Sequence, residues 1–494
     1  MTKHSVLLLL AALLVGATVL PSQGLARAQD DSLRLAEHSR VEQALTLLDR
    51  WASAELTYNE IPGASLAVVH DQERLWTKGW GMKRPEEQAE ATPNTLYSVC
   101  SISKLFTSVA AMTLWEEGKI ELNDRVGEHL SWFALEERQS GLPLTLESLL
   151  THSSGLPRES DSPYWSPPNF DFPDRQEIRE RIRDQRSLYP SQRYFQYSNL
   201  GLTLVGEVVA ATSDTTYSAY VQEEVLGPLN LESTSPSLPW TSDRMATGYS
   251  AITRSGDREP VPPFQAEGLA PAAGYASSVL DLAELASWQF RLLEEGGEEV
   301  LKPATLEKMH NVHWVDPDWD VHWGLGFSVW QVDEKTYVGH GGSCPGFRSH
   351  LALRPDKKLG AAFAANANGT DSQKFIETAI QILAPAVSAT NDTTEAPASP
   401  PPAFEKYVGN YSTQPWGGEI AVIPWKGGLA FVELPTEAPL EELEELKHVE
   451  ANTFRRVREN DELAEPVRFR IDDSGRVDAL IQHSNAWPRI RDGR

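Results

Sequence analysis

Ser101 and Lys104 lie three residues apart at the start of an apolar segment that is predicted to be a helix, in the sequence Ser101-Ile102-Ser103-Lys104. This spacing places the hydroxyl and the amine on one face of the helix. A free serine is a poor nucleophile, and a lysine can be its base when burial and positive neighbours lower the pKa of the amine. The partial positive charge of a helix N-terminus also favours an oxyanion formed beside the serine. The pair is therefore a candidate for nucleophilic catalysis, although Ser-x-x-Lys alone also describes an ordinary helix start.

Two further motifs contain side chains that can move protons or bind a substrate. They are Tyr197-Ser198-Asn199 and His340-Gly341-Gly342. Asn199 precedes an apolar helix, where it is also a candidate N-cap. His340 ends a predicted strand.

The three motifs follow in the order Ser-x-x-Lys, Tyr-x-Asn and His-Gly-Gly, with the segment LLTHSSGLP at residues 149–157 between the first two. This order resembles the serine β-lactamase and penicillin-binding superfamily. It is most similar to the branch that contains class C β-lactamases, D-Ala-D-Ala peptidases, D-aminopeptidases and family VIII esterases. The resemblance covers about residues 45–384. It implies a hydrolase that acts through a serine acyl-enzyme and uses no cofactor.

The resemblance implies a role for each side chain of the first two motifs. Ser101 is the nucleophile that becomes acylated, and Lys104 shares or accepts its proton. Tyr197, with its phenol acidified by nearby cations, relays the proton between Ser101 and the leaving group. Asn199 is expected to hydrogen-bond the amide of the substrate and to hold Lys104.

The strand that contains the third motif is expected to bind the substrate. The backbone N–H groups of Ser101 and Ser343 would form the oxyanion hole. Gly341 and Gly342 would keep the strand edge free of side chains, so that the substrate can lie along it as an added strand. Class C β-lactamases have a lysine where this chain has His340. Because a histidine is largely neutral at pH 7, it suits the carboxylate of a β-lactam less well.

The motifs favour an active serine hydrolase that acts on a D-amino-acid peptide, amide or ester. A β-lactamase and a non-catalytic relative that binds peptidoglycan are the alternatives. The chain contains no Gly-x-Ser-x-Gly motif, so the nucleophile elbow of α/β-hydrolases is excluded. His310, His313 and His322 lack the spacing of zinc hydrolases, so no metal site is predicted.

The chain has only two cysteines, Cys100 and Cys344, which are too few for a structural zinc site or a disulfide framework. In some class A β-lactamases with broad substrate range, cysteines in equivalent places form a disulfide beside the active site. The resemblance therefore implies a bridge between Cys100 and Cys344, with two buried free thiols as the alternative. Asp124 is interpreted as a turn residue and His152 as a buried hydrogen-bonding residue, rather than as catalytic groups.

Strands are predicted near both ends of the motif-bearing region, with helices between them. Strand patterns occur at residues 62–84 and in four short segments between 326 and 365, whereas helical apolar spacing dominates residues 101–294. Strands from distant segments imply an antiparallel sheet flanked by helices, with an inserted all-α lobe. The predicted fold class is therefore α+β and β-lactamase-like, with the active site in the cleft between the lobes.

Four regions are predicted along the chain: a signal peptide at 1–28, a β-lactamase-like domain at 29–386, a linker at 387–403 and a small β-barrel-like domain at 404–494. The apolar run of the first region is short for a membrane span and precedes an A-x-A cleavage pattern. Export to a periplasm or the medium, with no membrane anchor after processing, is therefore expected, and an uncleaved anchor is the alternative. The stretch from Ala384 is a polar Pro/Ala/Thr sequence that is not expected to hold a helix.

The charge balance limits the partners of the protein. Its 44 Lys and Arg residues against 70 Asp and Glu residues give a net charge of −26, which disfavours binding to nucleic acid or anionic lipid. A small-molecule or peptide substrate is the expected partner. Two loops rich in aromatic residues, 158–193 and 311–323, either rim the cleft or pack their own aromatic rings at the surface.

Overall fold

The structure is a computed structural model that describes residues 35–135, 142–161, 163–390 and 399–490. The predicted signal peptide lies outside these residues. The helices are α1 Ser39–Tyr58, α2 Ser103–Glu116, α3 Val126–His129, α4 Leu146–Leu150, α5 Arg175–Arg181, α6 Asn199–Thr212, α7 Tyr217–Val221, α8 Ala270–Ala273, α9 Val279–Glu295, α10 Pro303–His310 and α11 Ser372–Ala389. The strands are β1 Gly63–His70, β2 Glu73–Arg84, β3 Ala89–Glu90, β4 Tyr97–Cys100, β5 Tyr275–Ser277, β6 Trp314–Val315, β7 His322–Trp323, β8 Ser328–Val332, β9 Lys335–Cys344, β10 Phe347–Arg354, β11 Leu359–Ala365, β12 Gly409–Ser412, β13 Glu419–Trp425, β14 Gly428–Leu434, β15 Glu444–Glu450, β16 Thr453–Val457, β17 Leu463–Ile471, β18 Val477–Gln482 and β19 Asn485–Pro488.

A nine-stranded antiparallel sheet forms the centre of the region from α1 to α11, in the order β3-β2-β1-β11-β10-β9-β8-β7-β6. The early strand β1 pairs with the late strand β11, so the two ends of the region meet in the middle of the sheet. Both faces of β1 are buried. Leu66 and Val68 pack in the layer of α1 and α11, whereas Ala67 and Val69 pack in the layer of α9, as the two-residue period of a strand requires.

The helical lobe is inserted between β4 and β9, and α2 is its central helix. This helix packs against α6 and α8, and all of its residues from Ser103 to Leu114 are buried. A helix that is buried on every side belongs to the core rather than to the surface. The structure thus confirms the α+β fold class, with an all-α lobe inserted into an antiparallel sheet.

The C-terminal region is a second unit, which is all β, as the sequence predicts. Its eight strands follow chain order from β12 to β19, and a bridge between Tyr411 and Arg489 brings the last segment back to the first strand. The outer face of β13 and β14 shares one apolar cluster with α1 and α11. Trp51 Nε1 of α1 also donates to Thr436 O at 2.9 Å. The barrel-like unit is therefore packed directly on the layer formed by α1 and α11.

The expectation that the chain cannot be helical from Ala384 is wrong. Helix α11 continues to Ala389 and includes Pro385. A proline inside a helix costs roughly 3 kcal/mol, but Ala384 and Val387 are buried in the cluster that contains α1. Burial that is not visible in the local sequence therefore outweighs its low helical propensity. Within the described ranges, no helix has the length and apolar character to cross a membrane.

Two element boundaries differ from the predictions at places that matter for the site. Helix α2 begins at Ser103, so Ser101 lies in the turn before it. Strand β9 does not end at His340 but continues to Cys344, because these residues pair with β10.

Candidate active site

Ser101 lies in a sharp turn between β4 and α2. Cys100, the last residue of β4, has a φ of 53°, in the left-handed region that residues with a Cβ seldom adopt. Ser103 Oγ donates to Cys100 O at 2.5 Å and accepts from Tyr275 N at 3.0 Å. These bonds hold the turn against β5, and they place Ser101, which is 8% exposed, at the N-terminal end of α2.

Lys104 follows Ser101 on the same side of the turn and is fully buried. Its Nζ donates to Ser101 Oγ at 3.1 Å, to Asn199 Oδ1 at 2.7 Å and to Ala272 O at 2.7 Å. Burial lowers the pKa of Lys104 well below its ordinary value; the charge of Glu159 opposes this effect and that of Arg158 adds to it. Three donated bonds belong to the ammonium form; burial favours the neutral amine, in which a lone pair replaces one donor and can accept the proton of Ser101.

Asn199 is the first residue of α6, and the cap of that helix is Ser198. The Oγ atom of Ser198 accepts from Gly201 N at 2.9 Å. The side chain of Asn199 is therefore free for the site. Its Oδ1 accepts from Lys104, and its Nδ2 donates to Glu159 Oε1 at 2.6 Å.

Glu159 is a residue of the site that the sequence reasoning missed. Besides Asn199, it binds Tyr164, whose hydroxyl donates to Oε2 at 2.5 Å, and Arg158 Nε lies 3.4 Å from Oε1. The carboxylate fixes the amide of Asn199 so that Oδ1 faces Lys104. The available signal was an Arg-Glu pair directly after the LLTHSSGLP segment.

Tyr197 lies beside the amine of Lys104 and the guanidinium of Arg158. The ring centroid is 4.9 Å from Lys104 Nζ and 4.8 Å from the guanidinium of Arg158. Burial nevertheless raises the pKa of Tyr197 above its ordinary value, and the hydrogen bond with Ser101 and the charge of Arg158 offset only part of this rise. The expectation of an acidified phenol is therefore wrong, because the cost of desolvating a phenolate is the larger effect. Tyr197 keeps its proton at neutral pH.

His152 supports Tyr197 and α6 instead of reacting. Its Nδ1 accepts from Ser198 N at 3.1 Å, and its ring centroid is 4.3 Å from that of Tyr197. Burial lowers the pKa of His152 well below its ordinary value, so the ring is neutral. Asp124 accepts from Glu121 N at 2.7 Å in a turn and contacts His129. Both positions agree with the structural interpretation.

The open edge of β9 forms one wall of the site. β8 pairs with β9 only as far as Gly339, so, among the described strands, residues 340–344 pair with β10 alone. Successive backbone groups of an antiparallel strand alternate between its two edges. This edge therefore offers unpaired N–H and C=O groups to a ligand beside Ser101.

The turn at Ser101 and the end of β9 are tied together. A disulfide joins Cys100 to Cys344, and Ser349 Oγ of β10 donates to Val99 O at 2.9 Å. These two links hold the backbone of Ser101 close to that of Ser343, the residue before Cys344.

The two glycines of the third motif are required for packing, which differs from the expected reason. A Cβ on Gly342 would lie 2.2 Å from Val99 O and 2.2 Å from Ser349 Oγ, and one on Gly341 would lie 3.2 Å from the ring of His350. The first is a severe overlap and the second a tight contact. Gly342 thus permits the close approach of β9 to β4, on which the position of Ser101 depends.

His340 is buried and neutral. Burial, followed by the charge of Lys104, lowers the pKa of His340 to about 3. Its Nδ1 donates to Gly341 O at 2.6 Å, which leaves Nε2 as a lone-pair acceptor. Trp323 lies 5.6 Å from His340 and 6.1 Å from Tyr197 between ring centroids. Loop 311–323 therefore contacts the site through Trp323, which packs against His340 and Tyr197.

Ser101 lines two cavities. One has a volume of about 940 Å³ and is lined in part by Trp165, Pro167, Pro168 and Phe170 of the 158–193 loop. The other has a volume of about 410 Å³ and is lined in part by Tyr197, His340 and the glycines of β9. The 158–193 loop thus rims the cleft.

Three histidines, His310, His313 and His322, were not expected to form a metal site. His310 Nε2 contacts Gln289 Oε1 at 2.8 Å, and His313 Nδ1 contacts Glu147 Oε1 at 2.8 Å. Within the part of the chain that the structure describes, no group of three His, Cys, Asp or Glu side chains is placed to hold a metal ion.

We expect the acid limb of the pH profile of kcat/KM to follow Lys104, because only its neutral form accepts the proton of Ser101. The charge of Glu159 raises the pKa of Lys104, and that of Arg158 lowers it. Glu159→Gln should therefore move the limb to lower pH, and Arg158→Gln should move it to higher pH. Steady-state rates between pH 4 and 10 on a neutral substrate measure both shifts.

Glu259→Gln is the matched control for these two variants. Glu259 lines the same cavity but is not among the charges that shift the pKa of Lys104. Its limb should coincide with that of the wild type. Shifts of the same sign in Glu159→Gln and Arg158→Gln would show that Lys104 does not control the limb.

Comparison with known proteins gives matches over most of the chain. The family model described as Beta-lactamase matches residues 48–384, and the model described as Domain of unknown function (DUF3471) matches residues 393–491. The chain is 26% identical to "Putative beta-lactamase-like 1" of Homo sapiens over 396 residues, which cover 75% of this chain and 74% of that protein. It is 25% identical to "Protein flp" of Staphylococcus aureus over 340 residues, which cover 67% of this chain and 64% of that protein, slightly less than two thirds of its length.

One solved structure extends the fold comparison to both units. The octameric penicillin-binding protein homologue from Pyrococcus abyssi has a TM-score of 0.61 and 22% sequence identity. The match covers 88% of this chain and 97% of that chain. At this identity the likeness concerns the fold.

Proposed function

This chain belongs to the beta-lactamase family, within the superfamily of serine β-lactamases and penicillin-binding proteins, and from that premise we propose that it is an exported serine hydrolase that forms an acyl-enzyme on Ser101. The family and the fold are those of serine hydrolases. The observation that carries the proposal is the buried amine of Lys104, which is hydrogen-bonded to Ser101 Oγ at 3.1 Å. A binding protein has no need of a serine, a base and a proton donor in one site.

In the proposed acylation, neutral Lys104 takes the proton of Ser101 while Oγ forms a bond to the carbonyl carbon of the substrate. The N–H groups of Ser101 and Ser343 stabilise the oxyanion. Tyr197 donates its proton to the leaving group as the scissile bond breaks, and the proton held by Lys104 then restores Tyr197. A water molecule hydrolyses the acyl-enzyme by the reverse proton path.

A D-amino-acid peptide, amide or ester is the proposed substrate class. Support comes from the Tyr-x-Asn motif beside the nucleophile and from relatives whose names include beta-lactamase-like and penicillin-binding. Asn199 would bind the amide of such a substrate. Export would depend on residues 1–28, and the mature protein would have no membrane anchor.

A β-lactamase is the weaker candidate because of His340. A neutral imidazole that offers a lone pair gives no attraction to the carboxylate of a penicillin or cephalosporin. We expect turnover of a short-chain p-nitrophenyl ester or of a D-Ala-D-Ala peptide to exceed that of nitrocefin by roughly tenfold to a hundredfold, since a hydrogen bond to a charged group is worth about 1.5 to 3 kcal/mol.

The experiment that tests the proposal combines these three substrates with mass spectrometry of the quenched protein. The expected result is a mass increase equal to the acyl group, located on the peptide that contains Ser101. A protein that binds the substrates, forms no acyl adduct and turns over none of them would instead be a non-catalytic relative.

A further inference from the structure

The two cavities beside Ser101 have different catalytic neighbours. Both are lined by Ser101 and Ser343, which are the residues of the proposed oxyanion hole. Asn199 lines only the larger cavity, and Tyr197 lines only the smaller one. The reacting carbonyl therefore lies where the cavities meet, and each half of the substrate occupies one of them.

The position of Tyr197 decides which cavity holds the acyl half of the substrate and which holds the leaving half. The group that leaves Ser101 during acylation must receive a proton, and Tyr197 is the proposed donor. The leaving half must therefore lie in the smaller cavity of about 410 Å³. The acyl half, which stays on Ser101, then lies in the larger cavity of about 940 Å³.

The larger cavity has apolar side walls. One wall belongs to the 158–193 loop and the other to the segment before Phe264; they consist of Trp165, Pro167, Pro168 and Phe170 on one side and of Pro260, Val261 and Pro262 on the other. The carboxylate of Glu159 at the inner end is already engaged, with Asn199 on Oε1 and Tyr164 on Oε2. Its two oxygens are thus already hydrogen-bonded, and the other carboxylate of the lining, Glu259, is exposed to solvent, where an ion pair with a cationic acyl group contributes little.

The wall of the 158–193 loop is fixed by aromatic packing. Trp165 lies 4.8 Å from Phe172, and Phe172 lies 5.6 Å from Phe264 on the opposite side, measured between ring centroids. Tyr164 joins the same loop to Glu159 through its hydroxyl. A cavity whose walls are held in this way is formed before the substrate arrives.

We propose that this hydrolase is specific for substrates with a bulky apolar acyl group, such as an arylacetyl or medium-chain acyl group, which the Trp165 and Phe170 wall holds in the larger cavity. The inference rests on the proposed serine hydrolase function and adds the chemistry of the acyl half. An apolar group buried between these walls gains free energy with each methylene that leaves water. A substrate with a small or cationic acyl half does not gain this free energy.

The test is a series of p-nitrophenyl esters with one leaving group and different acyl groups: acetate, butyrate, octanoate and phenylacetate. The value of kcat/KM should rise by at least tenfold from acetate to octanoate and phenylacetate. In Trp165→Ala most of this rise should disappear, so that the ratio of kcat/KM for octanoate to that for acetate falls toward one. Phe170→Ala is a second variant of the same wall.

Tyr189→Ala is the matched control, because Tyr189 is an aromatic residue of the same loop that contacts Tyr194 and does not line the larger cavity. It should keep the preference of the wild type. Hydrolysis of all esters at one rate would overturn the inference and leave the proposed function intact. Hydrolysis of the p-nitrophenyl ester of lysine, which has a cationic acyl group, faster than that of octanoate and phenylacetate would do the same. An equal loss on every ester in Trp165→Ala would overturn it as well. Failure to hydrolyse any ester, with no adduct on Ser101, would refute the proposed function itself.

Discussion

Ser101→Ala is expected to reduce kcat by roughly 10⁴-fold to 10⁶-fold, the range found when a nucleophile that works with a base is removed. The hydroxyl oxygen is the atom that becomes acylated, and it is hydrogen-bonded to Lys104 Nζ and to Tyr197. The substitution removes one oxygen from a turn that Ser103 and the disulfide hold, so the folded structure should persist. Turnover of the best ester, together with far-ultraviolet circular dichroism, measures both effects.

Lys104→Ala should reduce kcat by a similar factor, and the Ser101→Ala/Lys104→Ala double variant by no more than either single variant, because the two side chains act as one unit. Ser108→Ala is the matched control: Ser108 Oγ lies buried in the same helix and has no hydrogen-bond partner among the described residues. Its activity should be close to that of the wild type. If Ser101→Ala retained more than a few per cent of the activity, another residue would have to be the nucleophile.

Removal of the disulfide is expected to have the largest effect on stability. The bridge joins residues separated by 244 positions. Closing a loop of that length lowers the conformational entropy of the unfolded chain, which stabilises the folded protein by about 5 kcal/mol at most. We expect Cys100→Ala/Cys344→Ala to lower the free energy of unfolding by about 3 to 5 kcal/mol. Urea denaturation followed by tryptophan fluorescence measures this difference.

The reductant supplies the control for this prediction. Dithiothreitol should destabilise the wild type to near the level of the double variant and leave the double variant unchanged. A thiol count on the denatured, unreduced wild type should give no free thiol. Two free thiols would contradict the bridge.

The candidate site residues were predictable because the order of the three motifs resembles that of a known superfamily; Ser-x-x-Lys alone would not have distinguished Ser101 from a residue at an ordinary helix start. Lys104 Nζ hydrogen-bonds both Ser101 Oγ and Asn199 Oδ1, and the pattern of strands at both ends of the region anticipated the sheet. Glu159 was not predictable in the same way. It lies in an irregular loop without periodicity, and its importance comes from Asn199, which is distant in sequence.

Electrostatic properties were the weakest part of the sequence reasoning, because they depend on burial. The cations beside Tyr197 were expected to acidify it, yet desolvation raises its pKa. Likewise, the polar Pro/Ala/Thr stretch from Ala384 was not expected to be helical, yet α11 continues to Ala389, and Val387 is buried in it. In both cases, the surroundings of the residue in the folded protein outweigh its local chemistry.

The pairing of β1 with β11 at the centre of the sheet has a consequence for the order of folding. Ala64 pairs with Ala365, about 300 residues later, and a ribosome adds roughly 5 to 20 residues per second. About 15 to 60 seconds therefore pass between the synthesis of β1 and that of its partner. During that time the apolar strand β1 lacks this partner and one covering layer, α11. Contacts this distant in sequence also slow folding, so the central sheet forms only after nearly the whole catalytic region has been made.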